Sequence, residues 1–289
     1  MGSGNTLVRF IILAHPGDHT AVCVASALRR HHGPHAVRLV SVDEILLAPR
    51  WVHCVGAQGV DTTVELHDGT ALHSASIGVV FNRLNYVDAA HFAHAPAADK
   101  DYAAMELFAL LLSWLAGLPC PVINRPSPAG LGGAVQTLQD WLLLAVRAGL
   151  AVPNMRFTSN ARRFARAGWQ PVEGPWDVSI DEREPWPTGL VRAQPAWLAP
   201  DACAPTGARH SVFLVDGEPV GEVPLTLVGA CRKLAALCDA ELLRLDFTDS
   251  PLGDDRWSFV GADMHPEITS GATLAALIQC LERRAEVAA

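Results

Sequence analysis

Three places in the chain carry side chains able to do metal or acid–base chemistry. His15, Asp18 and His19 close a continuous apolar run, His91 and His94 stand at an i,i+3 spacing that suits one helix face, and His265-Pro266-Glu267 follows Asp263. Imidazole and carboxylate are the ligands of zinc, and a loop histidine beside an acid can serve as a base. Ordinary structural work competes for the same residues. Pro16-Gly17 reads as a strand-to-helix turn with Asp18 as the helix cap, Asp263 as a cap of the turn after its strand, and His31, His32 and His35 as a solvated helix end. Other chemistries lack their residues. Seven cysteines are scattered and never spaced CxxC, which argues against a zinc ribbon or a disulfide framework and for a reducing compartment. Leu131-Gly132-Gly133 lacks the lysine of a phosphate loop, and no Ser-His-Asp order or GxSxG is present. Lys100 and Lys233 are the only lysines in 289 residues.

The elements that must position these groups follow from hydrophobic patterning. Leu7 to Ala14, Ala36 to Val42, Ile77 to Phe81 and Pro121 to Asn124 are short apolar runs of strand length. Helical stretches follow the first of them, to about His32, and precede the last, from Tyr102 to Leu115. Thr63 to Leu66 and Ala71 to His73 flank Asp68-Gly69, a hairpin signal. Strands alternating with helices predict a wound, parallel α/β sheet over the first 125 residues. A helix with apolar positions 138, 142, 145 and 146 comes next. Residues 160–207 then lose the pattern, with Trp169, Trp176, Trp186 and Trp197 among prolines and acids. Order returns with a hairpin (Ser211 to Val215, Pro219 to Leu227), a helix (Val228 to Cys238), strands at Leu242 to Phe247 and Trp257 to Val260, and a helix from Leu274 to Val287.

Half the residues are hydrophobic and the net charge is −8. A sizeable core is therefore available, and no basic stripe exists to neutralise nucleic-acid phosphates. No apolar run reaches the roughly 18 residues of a membrane span. The expectation is a cytoplasmic protein that binds neither nucleic acid nor membrane.

The order of elements resembles the ATP-grasp superfamily, in particular its glutamate-ligase type and microviridin-type peptide-maturing relatives. Val79-Val80-Phe81-Asn82-Arg83 is similar to the strand those proteins end with an arginine at the substrate cleft, and Asp101 to Leu107 to their acidic helix start. Asn124-Arg125-Pro126 resembles their Asn-x-Pro turn. Gly149-Leu150, Val152-Pro153 and Thr158-Ser159-Asn160 resemble the passage to the second domain, and Val215 to Glu218 the hairpin before the catalytic sheet. The resemblance implies three parts: an N-terminal wound parallel sheet over residues 1–125, a reduced central lobe over 126–210, and a C-terminal α+β lobe over 211–289. It implies a substrate cleft walled by Arg83, Asn124 and Arg125, and chemistry that activates a carboxylate as an acyl phosphate with ATP and magnesium.

That chemistry requires lysines on the phosphates and carboxylates on the metal. Leu138 stands where the resemblance places the first lysine, and residues 161–207 hold no second one. Arg162, Arg163, Arg166 and Arg192 are the substitutes available, Arg192 being the candidate nucleotide contact. At the metal end the resemblance makes Asp246 the first acid and Asp263 its partner, while Gly261 replaces the glutamate and Asp263 an asparagine. At roughly 1.5–3 kcal/mol per charge-assisted contact, losing two lysines and one carboxylate weakens ATP binding about a thousandfold or more.

The expectation is an ATP-grasp-fold protein with a degenerate ATP and magnesium site, working as a peptide- or carboxylate-binding accessory component, with a partner protein, in a peptide- or amino-acid-modifying pathway. An apolar-rich chain with a reduced lid also implies a homo-oligomer. Two alternatives stand beside this. One is an active carboxylate–amine ligase using arginines with Asp246 and Asp263. The other is a metal-dependent hydrolase, because His15-Pro16-Gly17-Asp18-His19 resembles the start of zinc-dependent sugar deacetylases, with His15, Asp18 and one of His91 or His94 as ligands.

Overall fold

A computed structural model describes residues 8–57, 59–88, 92–134, 136–153, 208–249 and 257–287, together with the backbone of 155–157, 170–171 and 196–198. The N-terminal part is built on strand β1 (Val8–Ala14), buried at six of its seven positions. Such a continuous apolar run suits the centre of a parallel sheet covered on both faces. Helix α1 (His19–His32) starts where the Asp18 carboxylate accepts the Ala21 amide at 2.9 Å. Strand β2 (Val37–Ser41) leads into a one-turn helix α2 (Val42–Leu46), fixed by a Ser41–Glu44 capping box. A small antiparallel sheet follows, β3 (Arg50–Gly56), β4 (Gly59–Glu65) and β5 (Ala71–His73), in that order. Strand β6 (Ile77–Asn82), helix α3 (Ala97–Gly117) and strand β7 (Val122–Ile123) complete a four-stranded parallel sheet ordered β2-β1-β6-β7.

Helix α4 (Leu138–Ala148) starts with a Thr137–Asp140 capping box and ends at Gly149, whose φ of 94° closes the helix in the left-handed region. Three short strands, β8 (Met155–Phe157), β9 (Gln170–Pro171) and β10 (Ala196–Leu198), pair antiparallel in the order β8-β10-β9. The last part holds β11 (Arg209–Val215), β12 (Glu218–Val220), helix α5 (Leu225–Cys238), β13 (Leu242–Asp249), β14 (Trp257–Asp263) and helix α6 (Gly271–Val287). Its antiparallel sheet runs β12-β11-β13-β14.

The cores cross the expected boundaries. Leu277, Ile278 and Leu281 of α6 share one apolar cluster with Phe10, Ile12, Val24, Leu28 and Phe81, so the C-terminal helix covers a face of the N-terminal sheet. Trp141, Leu142 and Ala145 of α4 share another with Val212, Leu234, Leu243, Leu245 and Phe259. Details also differ from the sequence reading. The strand expected over 219–227 stops at Val220, and α5 begins at Leu225 after Pro224, whose fixed φ suits a helix start. Helix α3 starts five residues before Tyr102, after Pro96.

Candidate functional site

The first polar cluster lies at the carboxyl ends of β1 and β6. There the parallel sheet reverses its winding direction, and open α/β sheets form their crevices at such points. The Arg83 guanidinium is buried. Its Nε donates to Asp18 Oδ2 at 2.6 Å, and its Nη atoms donate to the carbonyls of Pro266 at 3.1 Å and His265 at 3.4 Å. Asp18 therefore both caps α1 and pairs with Arg83. The His15 ring stacks on Tyr86, centroids 4.0 Å apart and planes 10° from parallel.

His265 lies beneath this cluster. Burial, with the nearby Arg83 charge adding to it, pushes its imidazole pKa down to about 4, so the ring is neutral. Its Nε2 is buried and finds no hydrogen-bond partner among the described residues. The loop opposite is Leu131-Gly132-Gly133, and only glycine allows the approach. A Cβ at Gly132 would stand 1.9 Å from His265 Nε2, and one at Gly133 would stand 2.3 Å from Met264 Cε. The glycine pair that makes no phosphate loop is thus a seal over Met264 and His265.

Asn124 joins the two halves of the molecule. It adopts φ 54°, a left-handed conformation that asparagine tolerates better than most residues. Its side-chain oxygen accepts the amides of Glu241 (3.1 Å) and Leu242 (3.0 Å), and its side-chain nitrogen donates to the carbonyls of Leu242 (3.0 Å) and Met264 (2.6 Å). Its own amide donates to the Glu241 carboxylate at 2.9 Å. Burial pushes the Glu241 carboxyl up from its ordinary range, while that amide and Arg284 pull it back. Arg125 points elsewhere, donating to the carbonyls of Ala116 (3.0 Å) and Cys120 (2.8 Å) and so closing the end of α3. The sequence places Arg83, Asn124 and Arg125 at a substrate wall. In the structure their side-chain hydrogen bonds run largely to backbone groups.

The third cluster lies on one face of the C-terminal sheet. Cross-strand register sets Ser211 opposite Asp246 and Asp246 opposite Gly261; in the next row Phe213 faces Arg244 and Arg244 faces Asp263. Residues two apart on a strand share a face, so the two rows form one patch. Arg244 bridges its acids, with Nε 3.1 Å from Asp246 and Nη2 3.7 Å from Asp263. The Ser211 hydroxyl donates to Asp246 at 2.7 Å, and the His265 amide donates to Asp263 at 2.8 Å. Arg244 was not singled out in the sequence, although the period-two spacing to Asp246 was there to be read.

Magnesium demands near-octahedral oxygen ligands at about 2.0–2.1 Å. The two carboxylates share a guanidinium and each accept a protein hydrogen bond, and Gly261 supplies no ligand, so this set does not fit the ion. Among the described residues no three His, Cys, Asp or Glu side chains converge on a metal position. For the hydrolase alternative, His15 and Asp18 lie in the first cluster, His94 is exposed, and His91 lies outside the described residues. Leu138, at the expected lysine position, packs against the core of the C-terminal lobe. Arg162, Arg163, Arg166, Arg192 and the side chain of Trp197 also lie outside the described residues. Burial pushes the thiols of Cys231 and Cys238 up to about 11 and about 12, which leaves them inert.

No family profile and no curated sequence matches the chain. Solved structures do. The ATP-grasp ligase PsnB, complexed with a minimal precursor, Mg and ADP, is 18% identical with a TM-score of 0.69, over 96% of this chain and 99% of that one. The macrocyclase MdnC from Microcystis aeruginosa MRC, bound with precursor peptide MdnA, is 12% identical with a TM-score of 0.68, over 95% and 99%. The Chryseobacterium gregarium RiPP-associated ATP-grasp ligase, in complex with ADP and a leader and core peptide, is 13% identical with a TM-score of 0.67, over 95% and 96%. These likenesses span nearly the whole length on both sides, and at such low identity they speak to architecture. The chain has the fold of these ATP-grasp ligases.

Proposed function

We propose that this protein is an ATP-grasp-fold component of a peptide-modifying pathway whose nucleotide and magnesium site is degenerate, and which binds a peptide or carboxylate without turning over ATP. The observation that carries the reading is the patch on β13 and β14, where Arg244 bridges Asp246 and Asp263 and Gly261 faces Asp246. Leu138 adds to it, being an apolar core contact at the expected lysine position. The similar structures that hold precursor peptides support a peptide ligand. The crevice at the ends of β1 and β6, framed by the His15–Tyr86 stack and the Asp18–Arg83 pair, is where we place it.

No helix among the described residues is long and apolar enough to cross a membrane. The six described cysteines are all free, which supports a reducing, cytoplasmic setting. We also propose a homo-oligomer. Tyr102 and Met105 on α3 are 65% and 70% exposed, and β3 is an edge strand of its sheet. Sedimentation showing only monomer at high protein concentration contradicts that part.

Phosphate release from Mg-ATP tests the central reading. In the presence of peptide carboxylates the full chain releases phosphate no faster than buffer, and Asp246→Ala changes nothing. Release that Asp246→Ala abolishes overturns the reading in favour of an active ligase.

A further inference from the structure

We propose that Arg244 is the resident cation of the β13–β14 face, a tethered replacement for a divalent ion that keeps metal out. The inference rests on the degenerate-site reading and deepens it. Two carboxylates on adjacent rows of one sheet face repel each other unless a cation lies between them. An acid at position 261 would stand directly opposite Asp246, and like charges in that geometry destabilise a sheet. This chain meets the problem twice over. Gly261 removes the facing side chain, and Arg244 supplies the positive charge, touching Asp246 at 3.1 Å and Asp263 at 3.7 Å.

The surrounding hydrogen bonds fit a finished ionic network. Ser211 occupies one Asp246 oxygen, and the His265 amide occupies one Asp263 oxygen. The guanidinium donates a directional N–H to Asp246 at 3.2 Å and holds its positive charge 3.7 Å from Asp263. The arginine sits at the i−2 position of the same strand as Asp246, so its attachment point is fixed by the sheet. The competing picture is an arginine that swings aside whenever metal arrives, and the two pictures differ in what removing it does.

The experiment uses Mn²⁺ as the probe and loss of its free-solution electron paramagnetic resonance signal as the readout, on full-length folded protein. Wild type and Arg244→Lys, which keeps the charge, leave Mn²⁺ free. Arg244→Gln combined with Gly261→Glu binds it at least about tenfold more tightly, and adding Asp246→Asn abolishes the gain. Arg244→Gln alone, the milder change, gives a smaller gain of the same sign and decides the matter if the double variant does not fold. Wild-type binding of Mn²⁺ that Asp246→Asn removes overturns the inference, as does a folded Arg244→Gln protein with no gain. Failure here is separable from failure of the functional reading. Wild-type protein that binds Mn²⁺ through Asp246 yet releases no phosphate overturns the arginine's role and leaves the absence of ATP turnover standing, whereas ATP turnover sinks the functional reading itself.

Discussion

At the scale of single residues, Asn124 and His265 hold the two halves of the molecule together by opposite means. Asn124 satisfies all four side-chain hydrogen-bond positions with backbone groups of 241, 242 and 264. Asn124→Ala leaves those buried groups unpaired at about 1–3 kcal/mol each, so a loss of at least about 3 kcal/mol in denaturant unfolding is expected. His265 is held neutral by burial instead. Its folded pKa of about 4 lies below the ordinary 6.5, so the unfolded chain binds the extra proton first. The stability this group contributes is full above pH 6.5 and is lost as pH falls through 4, about 3 kcal/mol in all. The difference in unfolding free energy between wild type and His265→Asn should therefore shrink over that window, and a pH-independent difference contradicts the assignment. Asn124 was legible from its Asn-x-Pro context. Its partners lie 117 and more residues away, and no local pattern gives them. For Arg244 the spacing to Asp246 is local and legible, whereas its place opposite Asp263 depends on strand register, which no local pattern gives.

At the scale of elements, the strands and helices with strong apolar periodicity were legible: β1, β6, β11, β13, β14, α1, α4 and α6. Those set by other forces were not. Helix α2 is a single turn made by the Ser41–Glu44 capping box, too short for periodicity to show. Strand β3 turns Trp51 and His53 inward, His53 bonding Thr62 and Ser113, so its buried face carries a polar ring that masks the alternation. The run after β12 reads as strand, yet Pro224 opens a helix. Capping is measurable on α4, which carries Leu138 and packs against α5 and β14. Thr137→Ala removes the side chain that accepts the Asp140 amide, and thermal unfolding should report a loss of about 1 kcal/mol. No change would mean that packing alone fixes the start of α4.

At the scale of the whole molecule, the ATP-grasp fold survives on cores that do not respect the expected three-part division. Helix α6 closes the N-terminal sheet and α4 closes the C-terminal one, so the architecture is held by long-range packing that owes nothing to the nucleotide site. On the proposed reading, a fold supported in this way keeps its shape without the nucleotide-site lysines and a metal ligand. The chain's charge of −8 adds a field that repels a polyphosphate. Isothermal titration of the full chain with Mg-ATP tests this most directly. The account predicts no binding stronger than millimolar, unchanged in Asp246→Ala; micromolar binding that Asp246→Ala abolishes contradicts it.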